Sequence, residues 1–173
     1  AKLPGGGASL ANSGGIFLGE VYHFDLVRPG AALYGIIPCP QAAPVLRQVV
    51  ALQGRILQVR DVDSPQTVGY GASHRFRRKG RLATVAVGYA DGYLRSLGNR
   101  GHGIVGGMRV PLVGRVSMDL ITFDVTDVPE PLTRPGGFID LIGPGQTVDD
   151  LAADAGTIGY EILTSLGPRY HRS

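Results

Sequence analysis

Three short runs end on side chains able to carry chemistry: Val-Gly-Tyr-Gly-Ala at 68–72, Val-Gly-Tyr-Ala-Asp-Gly-Tyr at 87–93 and Val-Gly-Arg-Val-Ser-Met-Asp at 113–119. In each, a β-favouring stretch stops at glycine and then presents a polar residue, so the backbone turns where the side chain is displayed. Two phenols (Tyr70 and Tyr89), the Arg115 guanidinium and the Asp119 carboxylate are displayed in this way. A phenol has a reference pKa of about 10, so it moves protons near neutrality only with help from neighbours. Arg95 and Arg115 beside a carboxylate suit the steering of a small zwitterion. They equally suit a surface ion-pair network near turns, and Asp91-Gly92 suits a type I′ turn.

A second group lies near the N-terminus. Arg28 directly precedes Pro29-Gly30 at the end of an apolar stretch. A guanidinium there is costly to bury unpaired and requires a carboxylate or carbonyl partner. Gly30 and Ala31 follow that strand end and open a short helix, whose first amides point toward any anion placed there. Ser13 closes a small-residue segment with a hydroxyl able to donate. The histidines His23, His74, His102 and His171 show no metal-ligand spacing, and no metal site is expected. A single cysteine, Cys39, excludes an intrachain disulfide and fits a reducing compartment.

The elements that must position these residues differ along the chain. Residues 24–29 read as a short buried strand broken by Pro-Gly, with a short helix opening at Ala31. Pro38, Pro40 and Pro44 mark a linker. Strands are expected at 49–59, 82–87, 104–105, 110–113, 120–125 and 138–142, with a hairpin turn at Gly106-Gly107. Thr147 caps a helix with a carboxylate near its third position, and Tyr160 belongs to a second short helix. The fold class is mainly β: a compact β domain, sheet or barrel, over 45–173, after a segment of different texture over 1–44.

The chain has 173 residues, 43% hydrophobic and 18% charged, which suits one folded domain with a core plus some extra. No run of about 18 apolar residues is present, so no membrane span is expected. The N-terminus lacks an initiator Met and a signal-peptide layout, and Ala1 reads as an internal residue of a longer protein. Net charge is +3, and the basic residues are scattered except at His74-Arg75-Phe76-Arg77-Arg78-Lys79. That cluster reads as a solvated β-turn in a hairpin. The competing reading is nucleic-acid binding, which needs such concentrated charge.

Tyr70, Tyr89 and Met118-Asp119, with their spacing, resemble the C-terminal half of the alanine racemases, fold type III pyridoxal-phosphate enzymes that interconvert L- and D-alanine. Tyr89 follows Tyr70 by 19 residues and Tyr160 follows Met118 by 42, both spacings of that family. The resemblance implies that residues 1–44 are the last part of a cofactor-binding (β/α)8 barrel and 45–173 the complete C-terminal β domain, barrel-like or Greek-key. It further implies that Tyr70 is one of two bases flanking the substrate Cα, and that Arg28 faces the cofactor's pyridine nitrogen. Ser13, Gly30, Ala31 and Tyr160 match the phosphate cradle, while Tyr89, Arg95, Arg115, Met118 and Asp119 match the substrate access route and active-site wall. The second base, a Schiff-base lysine, lies by resemblance in the N-terminal barrel. The two lysines here, Lys2 and Lys79, lie outside that motif, so the chain alone is expected to be inactive. A homodimer, with Tyr70 serving the other subunit's cofactor, and a bacterial cytoplasmic role in supplying D-alanine for peptidoglycan follow by the same analogy. Alternatives are a broad-specificity or serine racemase on the same scaffold, and a non-catalytic β domain for dimerisation or nucleic-acid binding.

Overall fold

The computed structural model describes residues 5–43, 45–63, 66–69, 71, 74–76 and 78–172. The chain divides into two compact units, Ala1–Val50 and Ala51–Ser173.

The second unit is built on antiparallel strands: β1 (Leu52–Val62), β2 (Gln66–Val68), β3 (His74–Phe76), β4 (Gly80–Val85), β5 (His102–Val105), β6 (Met108–Pro111), β7 (Ile121–Asp124) and β8 (Phe138–Ile142). Six of them form one sheet in the order β6-β5-β8-β1-β4-β7, and β2 pairs with β3. β1 is long enough to serve two neighbours. Its start pairs with β8 and, past Ile56, its remainder pairs with β4, with a register shift between Ile56 and Gln58. Such an irregularity bends a strand and lets a sheet coil. The outer strands then approach each other: Leu112 bridges to Phe123, and the Val113 amide donates to the Thr122 carbonyl at 2.9 Å. The sheet is thus a nearly closed β barrel, which pairs the edges that an open sheet would expose.

Alternation fills it. Leu52, Gly54 and Ile56 of β1 face inward between exposed neighbours, and Ile121 and Phe123 of β7 alternate with half-buried Thr122 and Asp124. Ile56, Val85, Phe123, Ile139, Leu141 and Ile142 are each at most 1% exposed. At Gly54 a Cβ would lie 2.4 Å from Val85 Cγ1, so the barrel interior leaves no room for a side chain there.

The expected turn at Gly106-Gly107 joins β5 to β6 with φ of 55° and 78°, the two positive values a type I′ hairpin needs. Helix α2 (Val148–Ala155) begins three residues before Leu151. Thr147 Oγ1 accepts from the Asp150 amide at 3.0 Å and Asp150 Oδ2 accepts from the Thr147 amide at 2.8 Å. Helix α3 (Gly159–Ser165) carries Tyr160. The basic run is part strand, not a single turn, because Phe76 is buried and draws residues 74–76 into pairing with β2. Beyond it, Arg78 pairs with Asp127 at 2.9 Å and Lys79 with Asp63 at 3.4 Å, so acidic partners offset both cations.

The first unit holds α1 (Ser13–Phe17) and 3-10 turns at Glu20–Tyr22, Ala31–Tyr34 and Pro40–Ala42. The buried strand expected over residues 24–29 does not form. Phe24 has φ of 49° and is 59% exposed, and the described pairing amounts to one parallel bridge, Asn12 to Arg28. A strand is stabilised by a row of partners, and one bridge does not supply it. The helix opening at Ala31 is a single 3-10 turn because Gly35, at φ 75°, reverses the chain where a Cβ would meet Arg47 O at 2.1 Å. Among the described residues, no helix is long and apolar enough to cross a membrane.

Candidate active site

The three glycine-ended motifs meet in the second unit. The second forms a 3-10 turn over Tyr89–Asp91, closed by Gly92 at φ 90°. Its Tyr89 and Ala90 amides donate to the carbonyls of Ser117 and Met118, each at 2.9 Å. At Gly88 a Cβ would lie 2.2 Å from Met118 O and 2.5 Å from the Asp119 amide, so only glycine lets these backbones touch. The first motif lies against the third. A Cβ on Gly69 would be 3.2 Å from the Arg115 amide, and one on Gly71 would be 3.4 Å from Arg115 Nη1. Tyr70 itself lies outside the described residues.

Beside this junction opens a pocket of about 700 Å³ lined by Tyr89, Arg95, Arg115, Val116, Ser117 and Met118. A hollow of about 520 Å³ adjoins it, again between Arg95 and Arg115, with Ser96, Gly98 and Asn99. Four sequence-selected residues are therefore brought together: Tyr89, Arg95, Arg115 and Met118. Among the described residues neither arginine has an acidic or hydrogen-bonding partner, so both charges are left for whatever enters.

Asp119 is placed differently. Its carboxylate accepts from Arg169 Nη1 at 2.7 Å, while Arg169 Nε lies 2.9 Å from Asp91. Asp91 is buried, and its other oxygen accepts from the Gly88 amide at 2.8 Å. The ion-pair network suggested for Arg95 and Arg115 is instead built by Arg169, which ties the Tyr89 turn to the Met118-Asp119 turn from behind. Sequence reading passed over Arg169 as a functional residue: it lies 50 positions from Asp119, and no local pattern signals the contact.

The first unit gathers the other set. Asn12 Oδ1 caps α1 by accepting from the Gly15 amide at 3.0 Å. The next residue, Ser13, is 5% exposed and its Oγ accepts from the Ala32 amide at 3.1 Å, which leaves the hydroxyl proton to donate. The amides of Gly30 and Ala31 donate to no described residue. Arg28 is held by Ser9 O and Oγ at 3.1 and 2.7 Å and by Leu10 O at 3.4 Å. These partners are neutral, and no described carboxylate offsets the guanidinium. A hydroxyl, two backbone amides and a nearby cation form a donor set that fits a phosphate ester. Tyr160, the fourth member expected for that set, belongs to the second unit on the first turn of α3 and is 40% exposed. Among the described residues no cluster of side chains could hold a metal ion.

The sequence model of the family described as "Alanine racemase, C-terminal domain" matches residues 49–173. The chain belongs to the alanine racemase family. The N-terminal domain model of the same family matches residues 1–38. The alanine racemase of Rhodospirillum rubrum is 60% identical over 172 residues, covering 99% of this chain and 46% of its own, and that of Acidiphilium cryptum is 55% identical, covering 99% and 48%. The chain spans about half the length of the curated relatives it matches. Among solved structures, the Bartonella henselae alanine racemase with covalently bound pyridoxal phosphate superposes with a TM-score of 0.89 at 45% identity, over 99% of this chain and 47% of that one. The biosynthetic alanine racemase of Pseudomonas aeruginosa gives 0.88 at 39% identity, over 96% and 47%. The nearly closed β barrel is the C-terminal β domain of this alanine racemase family.

Proposed function

We propose that this chain forms the C-terminal half of an alanine racemase that interconverts L- and D-alanine, supplying the D-isomer for peptidoglycan. The observation that carries this reading is the pocket flanked by Arg95 and Arg115, two cations without described partners, at the junction of the three motifs. In this reading residues 1–44 are the end of the cofactor-binding barrel, whose remainder carries the Schiff-base lysine. The protein works as a homodimer in the cytoplasm.

Pyridoxal phosphate, when bound, supplies an electron sink for the pair left behind as the Cα proton departs. The protein's residues do the rest. Ser13 Oγ and the amides of Gly30 and Ala31 hold the phosphate, with Tyr160 as a further donor. Arg28, a permanently charged donor, would face the pyridine nitrogen and disfavour its protonation, which would moderate the electron sink. Arg95 and Arg115 orient the substrate carboxylate. Tyr89 and Met118 form a wall that admits a methyl group, and Asp119 holds that wall through Arg169. Tyr70 moves a proton at one face of Cα, opposite the lysine.

The test is Tyr70→Phe in the full-length protein. Loss of a positioned acid/base group costs on the order of 10²–10⁴ in rate. Racemisation should fall by that factor while the cofactor's visible absorbance is retained. Undiminished turnover in both directions would remove Tyr70 from the mechanism. Turnover of serine in preference to alanine would reassign the substrate.

A further inference from the structure

Arg95 lines both hollows, and its guanidinium has no described partner, so the backbone turn that carries it sets where it can reach. That turn, a 3-10 segment over Arg95–Leu97, is anchored from below. Leu97 is fully buried, and Ser96 Oγ donates to Ala155 O, the last carbonyl of α2, at 2.8 Å. One residue earlier on α2, Asp154 Oδ2 lies 2.8 Å from His102 Nδ1. His102 opens β5 and is 6% exposed, and its chain neighbour Gly101 donates its amide to Leu97 O at 2.8 Å. The contacts close a ring: Arg95 turn to α2 through Ser96, α2 to β5 through Asp154 and His102, and β5 back to the turn through Gly101.

Other groups facing the imidazole sharpen this. Arg109 Nη2 of β6 lies 2.9 Å from the same Nδ1, Asp150 of α2 adds negative charge, and buried Tyr93 faces Asp154. One ring nitrogen cannot both donate to Asp154 and accept from Arg109. A proton on Nδ1 selects the Asp154 bond and thereby keeps the end of α2 docked.

We propose that Asp154 and His102, neither of which lines either hollow, are positioning residues that hold the Arg95 guanidinium in place through Ser96. The role assigned to Arg95 rests on the function proposed above. Steady-state kinetics on the full-length enzyme, together with amide hydrogen exchange at Leu97 and Gly98, test it. Asp154→Ala and Ser96→Ala should each raise KM for alanine about fivefold, the equivalent of one hydrogen bond, with kcat little changed and faster exchange at both amides. Asp154→Asn and Ser96→Thr, which keep an acceptor and a hydroxyl, should restore both values. Unchanged exchange in the alanine variants overturns the proposal, as does a fall in kcat and thermal midpoint that the conservative variants share. Should the enzyme not act on alanine at all, the proposed function fails, while exchange at Leu97 and Gly98 still decides whether the ring exists.

Discussion

The two units treat their apolar residues in opposite ways. In the second, Phe123, Ile139, Leu141 and Ile142 are fully buried within a barrel whose edges nearly meet. In the first, Leu10, Leu18, Phe24, Leu26 and Leu33 are each 58–66% exposed, and buried positions go mainly to small residues such as Ala11, Ala31 and Ala42. A closed antiparallel sheet satisfies its own backbone and covers its own core, whereas short helices and 3-10 turns joined by one bridge do neither. In this chain the self-covered core therefore lies in residues 51–173, while Ser13, Gly30 and Ala31 lie on the unit that covers less of its own apolar surface. The pocket of Arg95 and Arg115 lies with that core, whereas Ser13, Arg28 and the Gly30 and Ala31 amides do not.

Limited proteolysis should show the largest difference. Cleavage should fall first within residues 5–50, leaving a resistant fragment that begins near Ala51; a resistant first unit in an isolated monomer would break the comparison. Next in size, Phe123→Ala should cost about 3–5 kcal/mol in denaturant unfolding, the range for deleting a buried ring. Phe24→Ala should stay within about 0.5 kcal/mol, as exposed substitutions do. Gly88→Ala tests whether the motif junction is as rigid as the core. The added carbon meets backbone rather than a flexible side chain, so a loss of about 1–3 kcal/mol, or more, should accompany a raised KM. A smaller effect belongs to Thr147→Ala, which removes the cap of α2 and should cost about 1 kcal/mol.

The smallest effect concerns pH. Burial first, and Arg109 second, push the His102 pKa below its ordinary 6.5, against the opposing pull of Asp154. The folded protein then binds fewer protons at this site than the unfolded chain. His102 thus contributes stability that is fully present above about pH 6.5 and is lost as pH falls through its lowered folded value. Unfolding midpoints between pH 8 and 5 should decline less steeply in His102→Gln than in the parent. Identical slopes would assign the acid sensitivity to carboxylates elsewhere.

Much of the molecule is legible in its sequence. Within the motifs Gly69 and Gly114 take positive φ and Gly88 opens a 3-10 turn, local constraints that can be read from the sequence, although Gly54-Arg55 shows the same pairing inside a strand. Gly106-Gly107 and Thr147 were readable for the same reason: positive φ and a capping hydroxyl act within four residues. Residues 24–29 misled because an apolar run signals burial without saying what covers it. The basic run was legible in part: Arg75, Arg78 and Lys79 are exposed in a hairpin region, but residues 74–76 pair as β3 because Phe76 is buried.

By itself, then, the sequence determined the turns, the strand alternation, the order of the motifs and the family they belong to, all properties of neighbouring residues or fixed spacings. Only the tertiary structure decided that Arg169 joins Asp91 to Asp119, that Arg95 and Arg115 remain without described acidic partners at one pocket, and that α2 reaches under the Arg95 turn. Those contacts join positions some 50–80 residues apart in a folded barrel. No local preference encodes them, because a side chain finds its partner only after the barrel has brought distant turns to the same end.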